Sequence, residues 1–248
     1  MLDTRGQITG RVSIVGHRGA AACAPENTLV SFREALRQGA DIIELDVQLS
    51  ADGHAVVFHD DRLDRTTNAQ GPLAERTLAE LKALDTGSWF DPRFSGETIP
   101  TLDEVLAWAK DRVPLFIELK HSVPPDPALG AAVVERILAH GMTERVVVIS
   151  FEHLALRWVK ERAPELATGA LYREQVADPV RLARRIRACA VMPLCHNITA
   201  KDVTLCHAAG LSVNVWGPDP DYPALIAMGV DCVNADHPAQ VRRDFFQE

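Results

Sequence analysis

The chain has 248 residues, of which 47% are hydrophobic and 24% are charged, the ordinary balance of a globular protein. Its 26 basic and 34 acidic residues give a net charge of -8, and the absence of an extended basic stripe argues against nucleic acid as a partner. No stretch approaches the roughly 20 consecutive apolar residues of a membrane helix, and the polar N-terminus lacks the apolar segment of a signal peptide. We therefore expect a cytoplasmic protein without stable membrane association, whose five cysteines are reduced thiols.

Strand and helix patterns alternate along the chain. The first three predicted elements are a strand over residues 12–15, a helix over 29–38 and a strand over 42–47. From residue 100 the alternation becomes regular, with helix starts at Thr101, Pro179 and Thr199 and helix ends marked by glycine or proline. The further predicted strands cover residues 114–120, 146–150, 168–171, 190–193, 212–216 and 231–234, with helices over 128–140 and 153–163, a short helix ending at Gly229 and a last helix from Pro238.

Eight strand-helix units in about 250 residues predict a TIM (β/α)8 barrel that occupies residues 1–248 as a single domain. The competing fold is a doubly wound open sheet. That fold usually carries a glycine-rich fingerprint after its first strand, which the segment Gly16-His17-Arg18-Gly19 does not match. Residues 54–98 interrupt the alternation with one short strand and a polar, turn-rich stretch. We interpret them as a small insertion on the catalytic face of the barrel.

Unusual polar residues follow or end several predicted strands, where active sites of TIM barrels lie. Glu44 and Asp46 are two residues apart on one strand, so their side chains point the same way, and Glu118 and Lys120 repeat that spacing. A structural interpretation of the acids is that they are salt-bridged to nearby bases. The candidate residues of this rim are His17, Arg18, Glu44, Asp46, His59, Glu118, Lys120 and Trp216.

Three neighbouring carboxylates repel one another unless a cation compensates their charge. Glu44, Asp46 and Glu118 offer only oxygen ligands, which favour a hard ion, Mg²⁺ or Ca²⁺, over zinc. The three carboxylates, one such dication and an anionic phosphodiester together carry a charge of about -2, which Arg18 and Lys120 balance. The sequence therefore predicts one divalent cation on three acids.

His17 and His59 can divide acid and base work, because imidazoles titrate near neutral pH. The alternatives are a core histidine for His17 and a surface-loop histidine for His59. Both follow apolar runs, His17 in a tight loop before Gly19, which favours a catalytic function. Trp216 is interpreted either as core packing or as an aromatic contact with the substrate.

The ordered motifs resemble those of the glycerophosphodiester phosphodiesterase family over nearly the whole chain. They are Gly16-His17-Arg18-Gly19, Pro25-Glu26-Asn27-Thr28, Glu44-Leu45-Asp46-Val47, His59-Asp60, Asp64-Arg65-Thr66-Thr67-Asn68, Ile99-Pro100-Thr101-Leu102, Glu118-Leu119-Lys120 and Val213-Asn214-Val215-Trp216.

This resemblance implies a TIM barrel with a small insertion and a divalent cation on Glu44, Asp46 and Glu118. It implies His17 and His59 as the acid-base pair for hydrolysis of glycerophosphodiesters, such as glycerophosphocholine and glycerophosphoethanolamine, to sn-glycerol 3-phosphate and an alcohol. We expect residues 61–98 of the insertion to form the outer wall of the site, with Trp89, Phe90 and Phe94 shaping the pocket near the leaving alcohol.

Three other functions compete with this interpretation. A phospholipase-type barrel would stop at a cyclic phosphate, although no exposed apolar or basic membrane-binding segment is evident. A glycosidase would use two carboxylates, need no metal and leave both histidines unexplained. A catalytically inactive barrel could serve as a binding module, but it would not need all seven polar residues. The head group, the cation, the oligomeric state and a cyclic intermediate stay open.

Overall fold

The computed structural model describes residues 12–120 and 127–246, and this part of the chain contains nine strands. Eight parallel strands form a closed barrel, because the first strand in the chain pairs with both the second and the last. The remaining strand, Ala55–Val57, runs antiparallel to its predecessor. The strands are β1 (Ser13–Gly16), β2 (Ile42–Leu49), β3 (Ala55–Val57), β4 (Leu115–Leu119), β5 (Val146–Ser150), β6 (Ala167–Tyr172), β7 (Ala190–Pro193), β8 (Ser212–Val215) and β9 (Cys232–Ala235).

Helices follow the barrel strands and cover them from outside, so the predicted TIM barrel is confirmed. Thr101 caps its helix with the predicted capping box, and Asp178 caps the helix in which Pro179 is the first residue. In the described part of the chain, no helix is both long and apolar enough to cross a membrane. The helices are α1 (Leu29–Arg37), α2 (Leu78–Lys82), α3 (Leu102–Ala109), α4 (Pro127–His140), α5 (His153–Arg162), α6 (Pro179–Ile186), α7 (Ala200–Ala208), α8 (Tyr222–Met228) and α9 (Pro238–Phe245).

The alternation of side chains along β2 separates two apolar layers. Ile43 and Leu45 belong to the core shared with the surrounding helices, whereas Ile42 belongs to a second cluster together with residues of the other barrel strands. Because side chains two apart share a face, Glu44 and Asp46 lie on the same side of β2 as Ile42. The barrel interior is therefore apolar at the start of β2 and acidic toward its end.

The insertion has a small core of its own, which the polar sequence pattern does not predict. Val56, Phe58 and Leu81 are buried there with three other apolar side chains. Thr77 and Glu80 form a capping box at the start of α2, a helix that hydrophobic spacing alone does not reveal in so short a segment. These contacts hold the segment after β3 against the barrel, and His59 lies at its beginning.

Candidate active site

The predicted site residues meet at the carboxyl ends of the barrel strands. His17 and Arg18 follow β1, and Trp216 follows β8. A cavity of about 580 Å³ opens there, and all of the predicted site residues line it except Asp46, which is buried. The structure therefore places the residues selected from the sequence around one end of the barrel.

Glu44, Asp46 and Glu118 form one acidic cluster, in which one carboxylate oxygen from each residue lies within 4.8 Å of the others. Asp46 and Glu118 are paired in register on neighbouring strands β2 and β4, which explains their proximity. Burial and then the charge of Asp46 raise the pKa of Glu44 to about 8, and the same two causes raise the pKa of Glu118. Such mutual repulsion between oxygen-only ligands fits a site for one hard divalent cation.

Two basic side chains border the acidic cluster. Lys120 Nζ donates a hydrogen bond to Glu118 Oε1 at 2.9 Å and lies 3.4 Å from Asp46 Oδ1. Arg18 Nε lies 3.3 Å from Asp46 Oδ2. Burial alone would raise the pKa of Asp46, but the charges of Lys120 and Arg18 outweigh burial and lower it. Asp46 is therefore the carboxylate of the cluster whose ionised form the surrounding charges favour.

The backbone conformation of the loop after β1 places Arg18 beside the acidic cluster. Arg18 adopts a left-handed conformation with φ of +51°, and its backbone N–H donates to Glu44 Oε2 at 2.9 Å. Gly19 follows with φ of +90°, and a Cβ there would lie 2.3 Å from the Ser31 hydroxyl oxygen. Glycine is thus required by conformation and by space.

Asn27 ties the next turn of this loop to the same cluster. It is buried, has φ of +58°, and its side-chain amide donates to Asp46 Oδ2 at 2.8 Å. Its side-chain oxygen in turn accepts from the Asp46 backbone N–H at 3.2 Å. Asparagine tolerates the left-handed region better than most residues, so one side chain satisfies both the turn and the acid.

His17 is held by a carboxylate at one ring nitrogen. Its Nδ1 lies 2.7 Å from Asp236 Oδ1, a hydrogen bond between residues 219 positions apart in the chain. Burial alone would lower the pKa of His17, but the hydrogen bond to Asp236 and the charge of Glu44 outweigh it, so the pKa is raised above 6.5. This bond occupies Nδ1 and leaves Nε2 for other partners.

His59, like His17, is held by a carboxylate at one ring nitrogen. Its Nδ1 lies 2.5 Å from Asp60 Oδ1, and Arg65 donates two hydrogen bonds to Asp60 and two to Glu26. Glu26 also accepts from Arg18 Nη1 at 2.8 Å. Burial lowers the pKa of His59 below 6.5, although the charge of Asp46 opposes that effect. A chain of ion pairs therefore connects the insertion to the loop after β1.

The opposite wall of the cavity is aromatic. Trp216 and Phe151 meet edge to face with ring centroids 4.9 Å apart, and the Trp216 indole N–H donates to the Met192 carbonyl at 2.9 Å. Both rings line the cavity together with Arg173. Trp216 therefore has the cavity contact that the sequence interpretation allowed.

The expectation that Trp89, Phe90 and Phe94 shape this cavity is wrong for the structure described here. None of the three lines it. The rings instead pack against one another, with centroids 5.6 Å apart for Trp89 and Phe90 and 5.8 Å apart for Phe90 and Phe94. Local aromatic packing satisfies these side chains, and the part of the insertion that reaches the cavity is His59.

Several residues of the site were not singled out as candidates by the sequence reasoning. Asp236 follows the last barrel strand, and its position directly before the His237-Pro238 helix start is a signal of a strand-end loop. Glu26 and Arg65 belong to motifs of the resemblance but had no assigned contact. Phe151 follows β5 in the same way as Trp216 follows β8.

Comparison with known proteins decides the family. The model of the glycerophosphoryl diester phosphodiesterase family matches residues 17–240. The chain belongs to this family. A glycerophosphodiester phosphodiesterase of Caldanaerobacter subterraneus subsp. tengcongensis is 40% identical over 228 residues, which cover 91% of this chain and 94% of the relative.

Solved structures of glycerophosphodiester phosphodiesterases and related enzymes share the fold. A phosphodiesterase of Oleispira antarctica, in complex with the product sn-glycerol-3-phosphate, has a TM-score of 0.87 and 33% identity, covering 93% of this chain and 95% of its own. A glycerophosphodiester phosphodiesterase of Agrobacterium tumefaciens has a TM-score of 0.81 and 34% identity, covering 92% and 98%. As a member of the family, the chain is a hydrolase of phosphoric diesters.

Proposed function

We propose that this enzyme hydrolyses glycerophosphodiesters, such as glycerophosphocholine and glycerophosphoethanolamine, to sn-glycerol 3-phosphate and an alcohol, and that it needs one divalent cation. The observation that carries the proposal is that one cavity is lined by Glu44 and Glu118 of the acidic cluster, by two basic side chains and by two histidines that are each held by a carboxylate. A glycosidase would use the acids but leave both histidines without a role.

Glu44, Asp46 and Glu118 are the proposed ligands, and Mg²⁺ or Ca²⁺ is the cation that their chemistry favours. When bound, the cation supplies positive charge against the negative charge that develops on the phosphoryl oxygens. The raised pKa values of Glu44 and Glu118 support this assignment, since both acids resist ionisation even with Arg18 nearby, and a bound dication would favour their ionised forms.

Arg18 and Lys120 are the proposed phosphate contacts. Both line the cavity and both already lie beside the acidic cluster. The backbone bond from Arg18 to Glu44 and the ion pair from Arg18 to Glu26 fix the guanidinium, so little freedom is lost when an anion binds. Their two positive charges complement an anionic diester in a site that already carries three acids.

His17 and His59 are proposed to serve opposite ends of one displacement. In each case a carboxylate holds Nδ1, which fixes the ring and leaves Nε2 to exchange a proton with the substrate. One histidine accepts a proton from the attacking oxygen and the other donates a proton to the leaving alkoxide, so the pair ends the reaction with protons exchanged.

Two attacking oxygens are compatible with this arrangement, water and the glycerol 2-hydroxyl. Attack by the hydroxyl benefits from proximity and gives a cyclic phosphate that water then opens. A diester that lacks the 2-hydroxyl distinguishes the routes, because wild-type turnover of that substrate excludes the cyclic route. Cyclic phosphate as the final product would instead indicate phospholipase-type chemistry.

The experiment that tests the proposal measures sn-glycerol 3-phosphate release from a panel of glycerophosphodiesters. We expect turnover by the wild type and a loss of about 10² to 10⁴ in rate for His17→Ala and for His59→Ala, the usual contribution of a positioned acid or base. His54→Ala is a matched control, because His54 is exposed and does not line the cavity. Near-normal rates in folded His17→Ala or His59→Ala enzyme would contradict the assignment.

A further inference from the structure

Arg173 occupies the aromatic half of the cavity. It follows β6 directly, and its guanidinium carbon lies 4.9 Å from the centroid of Phe151 and 5.1 Å from the centroid of Trp216. The two rings come from the ends of β5 and β8, so Arg173 contacts side chains from two other positions around the barrel mouth. Its backbone carbonyl accepts a hydrogen bond from the Asn197 side chain at 2.5 Å, which anchors the residue.

The three arginine and lysine side chains of this cavity differ in their pairing. Arg18 and Lys120 are both paired with carboxylates. Arg173 also lines the cavity, yet it forms no ion pair with any residue of 12–120 or 127–246. A guanidinium with stacked faces still presents its N–H donors at the edge, and these favour a carboxylate or phosphate partner.

The stacking also decides what the aromatic wall can bind. Open aromatic faces recognise quaternary ammonium groups through cation–π attraction. Here a permanent cation already occupies the faces of Phe151 and Trp216, so a second cation would meet both a covered surface and a like charge. The wall is therefore poorly suited to choline and well suited to an anion.

We propose that Arg173 determines substrate specificity, favouring diesters whose alcohol arm carries a negative charge, such as a carboxylate, over diesters whose alcohol is quaternary. This inference rests on the proposed glycerophosphodiester hydrolysis and names the substrate class that the enzyme prefers. Glycerol hydroxyls require hydrogen-bond partners, and the polar half of the cavity, which includes His17, Glu44 and Lys120, offers several. The variable alcohol arm then faces Phe151, Trp216 and Arg173.

The test compares three diesters of sn-glycerol 3-phosphate with alcohols of similar size. The alcohols are choline, its uncharged isostere 3,3-dimethylbutanol, and 4-hydroxybutanoate. We expect the wild type to favour the carboxylate over choline by roughly tenfold in kcat/KM, the lower end of the effect of a charge-assisted hydrogen bond. Arg173→Gln should reduce this ratio to about twofold or less, and Arg173→Glu should reverse the order.

Two further variants separate Arg173 from other charges. Arg184→Gln makes the same change of charge on the exposed face of α6, away from the cavity, and should keep the wild-type ranking. Asp219 also lines the cavity, and it could attract a cationic arm. Asp219→Asn should keep the carboxylate diester first. If Arg173→Gln kept the wild-type ratio, or if the wild type preferred the choline diester and Asp219→Asn abolished that preference, the inference would be overturned.

Binding provides a readout that does not depend on turnover. Non-hydrolysable phosphonate analogues of the choline and carboxylate diesters, titrated by calorimetry, should show the same Arg173-dependent order of affinity. If the wild type hydrolyses none of the diesters but binds the analogues in this order, the proposed function fails while the anion preference stands. Hydrolysis of all diesters at equal efficiency by wild type and Arg173→Gln would refute the preference alone.

Discussion

Replacing Glu44 by glutamine should stabilise the cation-free protein. Burial and the charge of Asp46 raise the pKa of Glu44 to about 8, so the folded chain resists ionising a group that the unfolded chain ionises readily. Glutamine has nearly the same shape and carries no charge. Its side-chain oxygen can still accept the hydrogen bond that Glu44 Oε2 accepts from the Arg18 backbone.

The size of this stabilisation and the pH range in which it appears follow from the raised pKa of Glu44. Below the ordinary value of 4.5 the carboxyl is protonated in both states, and as pH rises toward 8 only the unfolded state loses its proton. Wild-type stability therefore falls across this window in the cation-free protein. At about 1.36 kcal/mol per pKa unit, the raised pKa of Glu44 lowers the free energy of unfolding by at most about 5 kcal/mol at pH 8. Glu44→Gln removes this loss.

The assay is urea unfolding at pH 5 and pH 8, with chelator and with saturating Mg²⁺ or Ca²⁺. In chelator at pH 8 the variant should be more stable than the wild type, and the gain should shrink at pH 5. With the cation the order should reverse, because the wild type gains stability from binding and the variant has lost a ligand. Glu75→Gln, an exposed acid of the insertion, is the matched control. A Glu44→Gln protein that is less stable than wild type in chelator at pH 8 would refute the reasoning.

Three other substitutions test how the site is held. Asn27→Ala should lower the free energy of unfolding by about 3 kcal/mol, because the hydrogen bonds to the buried Asp46 are lost. Asn27→Gly should be about 1 kcal/mol less destabilising than Asn27→Ala, because glycine adopts the positive φ without strain. Equal stabilities of the two variants in urea unfolding would contradict this. If His59 acts as proposed, Arg65→Ala should reduce kcat roughly tenfold by releasing Asp60, the carboxylate that orients the His59 ring, whereas the exposed Arg62→Ala should not. Equal kcat values for the two variants would count against this role of Arg65. Asp236→Asn replaces the carboxylate that raises the His17 pKa by a neutral amide, so the limb of the kcat/KM profile that reports His17 should move to lower pH; an unchanged profile would exclude that role of Asp236.

The barrel could be predicted from the sequence because its evidence is local. Helix starts at Thr101 and Pro179 carry their own capping residues, and the structure has helices where these signals predict them. The insertion was less predictable. Its core joins Val56 to Leu81 and Ile99 across a segment without regular periodicity, so the contacts that order it are visible only in three dimensions.

Some contacts of the candidate site could likewise be predicted from the sequence, and others could not. Glu44 and Asp46 could be brought together from their spacing on one strand, because the period of a strand fixes the direction of side chains. The partnership of His17 with Asp236 could not, since barrel closure between β1 and β9 creates it. The aromatic residues of the insertion were assigned to the cavity from their position in the chain, and packing against their own neighbours took precedence.

The central claim is that this enzyme releases sn-glycerol 3-phosphate from glycerophosphodiesters with one divalent cation held by Glu44, Asp46 and Glu118. The most direct measurement is the rate of that release by exhaustively metal-stripped enzyme, before and after addition of Mg²⁺ or Ca²⁺, for the wild type and for Glu118→Gln. We expect no turnover without metal, recovery in the wild type on addition, and little recovery in the variant. Full turnover by the stripped wild type would contradict the account.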